Sequence, residues 1–420
     1  MKLKQAVSAA AAVFTAAALS LCCAAEDSGF YTEKELALAV KAPYDTKYVN
    51  IAWNTDETEE VGVPLSWNST VLLPVGAKVN QLSEKDGTLT ASVELSEKVS
   101  ENCRGAVLGN TLFQPTRTGA ALINAQTMTV VSQRSFGAPI TSDAAIIDNL
   151  AYFSLGTEGD YTLLCVDLSN ELSTVWEYSS AYPISAPTLY EEYVVFSTGT
   201  KLVCCAAADG TAVENDLGIS MTGTPFASQY AVFTSAEDGS VYKLRLNADG
   251  TVEEGTLTPC KLGGELSSPV QFDGKLYVSS TEGFFILDSL NMEVLNSFPE
   301  ISGGTAPLIC YGNGTRIYTV APMEDYWCLY SICDMEVLEE PQVSKLAKLV
   351  NFEGGSIAVS QSGKMFFRDG VGRVYALEVA EYSVLMIVLK LVLLLALFVI
   401  FIFWLKTWAK KRNQNKPPQY

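Results

Sequence analysis

Short apolar runs rich in β-branched and aromatic residues, each closed by a turn signal, recur along this chain from about residue 48 to residue 379. The stretch from Ser267 to Phe298 shows the pattern most plainly. Its runs Pro269 to Phe272, Lys275 to Val278, Phe284 to Leu287 and Val294 to Phe298 are separated by Asp273-Gly274, Glu282-Gly283 and Ser289 to Asn291. Four strands joined by tight turns are predicted, which is one blade of a β-propeller. A residue in the place of Pro269 recurs at Pro64, Ala106, Ala144, Pro187, Pro225, Pro307 and Ala358. The resulting period of about 40 residues is that of propeller blades, and eight anchors predict an all-β, eight-bladed ring, with seven blades as the alternative.

The second strand and the turn after the third align best, as in TVLLPVG (70 to 76), YVVFSTG (193 to 199), KLYVSSTEG (275 to 283) and KMFFRDG (364 to 370). The final unit ends at Val374 to Val379 and lacks a fourth strand, whereas Tyr48 to Trp53 (YVNIAW) reads as a strand without a unit. Pairing the two closes the ring and removes its open edge.

Two segments outside the ring carry membrane signals. Lys2 and Lys4, the alanine-rich run Ala6 to Leu21 and the small residues Cys23-Ala24-Ala25 read as a secretion signal over 1–25. Leu19-Ser20-Leu21-Cys22 also approaches a bacterial lipobox. Val384 to Leu405 is apolar apart from Lys390 and, as a helix, spans about 33 Å, the thickness of a bilayer core. Lys406, Lys410, Lys411 and Arg412 follow it, so the positive-inside bias places the tail 406–420 in the cytoplasm and the ring outside, at the cell surface or in the periplasm. The expected organisation is thus a signal peptide (1–25), a lead segment (26–46) with a capping box at Thr32 and Glu35, a propeller (47–380), a transmembrane helix (384–405) and a basic tail. Lys390 has two readings: it snorkels to the outer interface, or it pairs with an acidic residue of a partner's helix.

Charge narrows the partners. All 47 acidic residues lie between Glu26 and Glu381, and eight of the 28 basic ones lie outside that span, which leaves 20 within it and a net charge of −27 there. Such a surface repels phosphate backbones, so nucleic acid is not an expected partner. Histidine is absent, which removes His-based nucleophilic catalysis and the commonest zinc and copper ligands. Carboxylates leave calcium open, but the Asp-Gly pairs fall where hairpin turns need them and no Asp-x-Asp-x-Asp-Gly loop is present. Eight cysteines remain beyond the signal, an even number that permits disulfides; Cys328 and Cys333 stand close in sequence.

The units resemble the repeats of the pyrroloquinoline-quinone-like (PQQ-like) propeller superfamily, with Ser268 to Leu295 and Ala358 to Leu377 the nearest to its consensus. The resemblance implies a bacterial, membrane-anchored member, and the family holds both quinone-dependent dehydrogenases and non-enzymatic scaffolds. The dehydrogenases set a vicinal disulfide against PQQ, which makes the adjacent Cys204 and Cys205 the candidate cofactor residues. Cys165 stands at the matching place one unit earlier, however, and recurrence of a small apolar residue points to core packing. Of the tryptophans that such repeats use for docking, Trp176 alone falls at a matching strand position. The expectation is a non-catalytic binding or scaffolding module for a protein, glycan or small ligand, with a quinone-dependent oxidoreductase as the alternative and the bilayer contacted through the C-terminal helix.

Overall fold

A computed structural model describes residues 46–55, 60–311, 315–323, 326–334, 340–349, 358–360, 364–369, 372–381 and 384–414. The strands form eight antiparallel sheets of four, and in seven of them the order across the sheet follows the chain. The unit that defined the repeat is the sixth blade, with strands Val270–Phe272, Lys275–Ser280, Gly283–Asp288 and Val294–Phe298. Asp273 and Gly274 both take positive φ, 49° and 73°, which fits the right-handed twist of the two strands they join. Eight blades, and not seven, make the ring.

Burial follows position in the blade. Five of the six residues of the second strand, Lys275–Ser280, are buried, because the strand is covered on both faces by neighbouring blades. The outer strand Val294–Phe298 buries none. The first strands therefore face the centre of the ring, where those of neighbouring blades touch, and the fourth strands form its rim. Each blade then has two ends. The first and third turns share the turn end; the second turn and the connection to the next blade share the entry end.

Seven of the eight anchors stand at the start of a first strand or within two residues before it. Pro225 instead lies inside Met221–Ala227, where the register with the second strand shifts between Thr222 and Phe226. The fifth blade is irregular again at Arg245 to Leu257, where a long third connection carries its own bridge, Leu246 to Val252.

Closure occurs as the orphan strand predicted. Thr46–Asn54 is the fourth strand of the last blade and pairs antiparallel with Val374–Glu381, from Thr46 opposite Glu381 to Asn54 opposite Tyr375. Trp53 in this strand donates its indole N–H to Glu84 O of the first blade at 2.9 Å. Trp176, in the outer strand Ser173–Ser180, makes the matching bond to Ala207 O of the fourth blade at 3.0 Å. Both rings lie over the Asp-Gly turn of the next blade, against Gly87 and Gly210 respectively. Trp176 is thus not the only docking tryptophan; Trp53 is its equivalent, hidden from a linear alignment because it belongs to the last blade but comes first in the chain.

The helix Val384–Gln414 follows the ring and continues beyond the apolar segment into the basic cluster. Among the described residues no helix is long and apolar enough to cross a membrane. The expected span over 384–405 is thus a helix that is not shown to cross. The signal peptide, the lead segment up to residue 45 and the last six residues lie outside the described residues.

Candidate functional site

The expected cofactor pair is placed in two different cores. Cys204 and Cys205 are neighbours in the regular strand Lys201–Ala206, opposite Val195 and Val194. Successive side chains of a strand point to opposite faces. Cys205 accordingly packs with Cys165, Tyr152 and Trp176 between the third and fourth blades, and Cys204 with Val195, Val232 and Leu244 between the fourth and fifth. Both are fully buried free thiols, and burial pushes each up to about 12. Two sulfurs on opposite faces of a sheet make no vicinal disulfide and no platform toward the channel, so these residues do not fit PQQ. Cys328 and Cys333 lie five residues apart in one strand, Trp327–Asp334, about 16 Å by strand rise, well beyond a disulfide's reach. Lys390 falls within the C-terminal helix, and its side chain is outside the described residues.

The entry end carries a feature that the sequence did not announce. Four residues after the first turn of each blade, the second strand holds Ser154, Ser197, Ser235, Ser279 and Thr319 in blades three to seven. Four of these hydroxyls donate to a main-chain oxygen in the entry segment of the next blade. Ser154 reaches Ile184 O at 3.3 Å, Ser197 Gly223 O at 3.5 Å, Ser235 Ser267 O and Ser279 Thr305 O, each at 2.7 Å. A belt of hydrogen bonds thus ties blade to blade around the inner part of the ring. A buried carbonyl left unmatched costs about 1–3 kcal/mol, which is the force behind the repetition.

The belt changes character at blades eight, one and two. Blades one and two hold Pro74 and Pro115 at this position, and neither side chain can donate. The last blade holds Arg368, which donates to Val61 O in the first blade's entry segment and to Glu101 O at 3.0 Å. At the next junction Asp143 takes over: its carboxylate accepts from Arg104 N at 2.7 Å and joins the entry segments of blades two and three. Burial pushes the Asp143 carboxyl above the ordinary range, opposed by the Arg104 charge and hydrogen bond. Gln114, 1 % exposed, donates to Pro115 O, while its Oε1 has no protein partner. Outside this group Glu60 receives Lys98 at 2.9 Å and Arg117 at 3.2 Å, and Glu97 accepts from Thr116 and Thr118. Lys98 holds the Glu60 carboxyl below its usual range.

In this sector, from blade eight to blade three, charged and amide side chains stand where the other blades repeat a hydroxyl. Arg104 and Gln114 are buried within it, and the charges it exposes to solvent are those of Lys98, Arg117 and Glu101; among the described residues none of these groups is a nucleophile paired with a base. Among the described residues no group of three or more Cys, Asp or Glu could hold a metal ion, so the calcium left open by composition finds no cluster there.

No family model matches the chain, and no curated protein matches it. Solved structures do. BamB from Moraxella catarrhalis is 12% identical, with a TM-score of 0.55, over 81% of this chain and 99% of that one. The quinohemoprotein alcohol dehydrogenase ADHIIG from Pseudomonas putida HK5 is 10% identical, with a TM-score of 0.59, over 85% and 81%. The computationally designed protein Ika8 is 12% identical, with a TM-score of 0.57, over 78% and 98%. At such identities the likeness concerns the fold alone. The chain shares its propeller fold with these structures and builds it here as a ring of eight four-stranded blades.

Proposed function

We propose that this protein is a non-catalytic binding propeller that engages a protein partner through the charged sector of its entry end while its C-terminal helix holds it at a membrane. The observation that carries the binding reading is the break in the hydroxyl belt. The four junctions from blade three to blade seven repeat one structural solution; at those from blade eight to blade three Arg368, Arg104, Asp143 and Gln114 replace it beside exposed connections such as Glu101-Asn102. Loops converging at one end of a ring are where propellers bind. The likeness to BamB supports this reading, and the position of Cys204 and Cys205 in separate cores weighs against the quinone-dependent alternative.

Membrane attachment is supported by the helix itself. Its apolar side chains from Leu391 to Leu405 are 39–71% exposed on every side, an arrangement that water does not stabilise and lipid does. The basic residues after it favour a cytoplasmic tail and a ring outside. The experiment for the binding reading places a photo-crosslinking residue at Asn102 and, as the control, at Val131 on the exposed rim of the second blade, in native membranes. A discrete protein adduct from Asn102 alone is expected; adducts equal at both positions, or none at Asn102, overturn the reading. Extraction at alkaline pH tests attachment separately: the full chain stays in the pellet, and a chain ended after Glu381 does not.

A further inference from the structure

We infer that the ring stands on its turn end at the bilayer and presents its entry end away from it. The inference rests on the membrane attachment proposed above and adds an orientation that the attachment alone does not give.

Strand register decides it. The third strand of the last blade pairs Arg368 with Val374 and Met365 with Leu377, so it runs away from the entry end and finishes at Glu381 on the turn end. Val384, where the helix begins, is three residues farther on, at most about 11 Å from the Cα atom of Glu381. Chain connectivity alone therefore ties the helix to the turn end. The N-terminal side agrees: Thr46 stands opposite Glu381, so the chain enters the ring at the same edge from which it leaves.

The surface of that end supplies an independent observation. The turn end exposes Tyr230 (first turn, blade five) and Leu290 (third turn, blade six), 72% and 81% exposed, against Tyr182 at 64% in the connection to blade four on the entry end. The same end carries Asp86, Asp148, Asp167, Asp209, Asp249, Asp273 and Asp288. Their charge opposes anionic headgroups, so the partner surface that fits is a zwitterionic one.

The test uses the full chain in phosphatidylcholine vesicles carrying a headgroup acceptor dye. A donor is attached to Gln126→Cys or to Asn102→Cys, each in a Cys260→Ser, Cys333→Ser background that removes the half-buried thiols. Gln126 occupies the turn end and Asn102 the entry end of the same blade, whose ends are separated by about 20 Å along the six-residue strand Gly119–Asn124. Energy transfer from position 126 at least twice that from position 102 is expected. Equal or reversed transfer from protein that floats with the vesicles overturns the orientation and leaves attachment standing. Protein that does not float overturns the attachment reading, and the orientation with it.

Discussion

The indole N–H of Trp53, near the start of the described chain, bonds to Glu84 O across the seam between the last blade and the first. Glu84 is 6% exposed and also accepts Ser360 Oγ on Oε1 at 2.8 Å and Lys364 Nζ on its main-chain oxygen at 3.1 Å. Three groups from the last blade thus meet one residue of the first. Trp53→Ala removes the docking ring and one of these bonds, and is expected to lower stability by about 3–5 kcal/mol, read as a shift in the denaturant midpoint. Trp53→Phe keeps most of the packing and is expected to lose about 1–2 kcal/mol.

Three glycines with nearly equal φ separate backbone strain from crowding. Gly87, Gly210 and Gly274 take φ of 71°, 73° and 73°. A Cβ atom would lie 2.8 Å from the Trp53 ring at Gly87 and 2.7 Å from the Trp176 ring at Gly210, but would meet nothing within 4 Å at Gly274. Gly274→Ala is expected to cost about 1–2 kcal/mol, the left-handed conformation alone. Gly87→Ala and Gly210→Ala are expected to cost more, each also displacing a docking tryptophan. Thermal unfolding of the three variants checks the order.

The belt predicts a loss at each serine. Ser279→Ala leaves Thr305 O without its shortest donor, although Thr319 Oγ1 also reaches that oxygen at 2.9 Å. Ser235→Ala leaves Ser267 O without the hydroxyl at 2.7 Å. Stability is expected to fall by about 1–3 kcal/mol for Ser235→Ala and by less for Ser279→Ala.

The buried thiols predict a pH dependence. Cys165, Cys204 and Cys205 are each pushed by burial to about 12, from an ordinary value near 9. In the native protein their alkylation by iodoacetamide should therefore stay flat and slow between pH 7 and 9, whereas in denaturant it rises with pH. The same shift works on stability. Above about pH 9 the unfolded chain releases these protons and the folded one keeps them, so the thiols' contribution is complete below pH 9 and declines as pH rises toward 12. Native-state labelling followed by peptide mass mapping reads the first effect, and urea midpoints at pH 8 and 10 the second.

At the seam between blades six and seven, Lys275 Nζ reaches both carboxylate oxygens of Asp334, at 2.8 and 2.7 Å, and Tyr277 OH reaches one at 3.2 Å. Asp334 is nearly buried, while Lys275 keeps a third of its side-chain surface in water. Asp334→Ala is expected to cost about 1–3 kcal/mol, mostly through the stranded tyrosine hydroxyl. Asp334→Asn keeps an acceptor and should recover part of that loss in the same denaturation experiment.

The blade count, the anchors and the closing strand were legible because each rests on period and turn chemistry, which are local. Asp273-Gly274 announces its turn in two residues, and Tyr48 to Trp53 stood out as a strand without a unit. The fifth blade was less legible: Pro225 keeps the anchor's chemistry, but a register shift between Thr222 and Phe226 moves it inside a strand. Trp53 as a docking residue was hidden by circular order. The charged sector was hidden for a different reason. Arg368, Arg104 and Asp143 lie in three blades and come together only when the ring closes, and Pro74 and Pro115 look like ordinary strand residues until the serine belt they interrupt is seen. A signal was available in the aligned repeats: serine or threonine at one position in five blades, and proline, proline and arginine in the other three.

The central claim is that this ring binds without catalysing, and PQQ supplied with calcium tests it most directly. The purified full chain is titrated with PQQ and calcium, with absorbance, thermal shift and reduction of an artificial electron-accepting dye in the presence of alcohols as readouts. No saturable binding, no rise in melting temperature and no dye reduction are predicted. Stoichiometric uptake of the quinone with alcohol-dependent dye reduction would contradict the account.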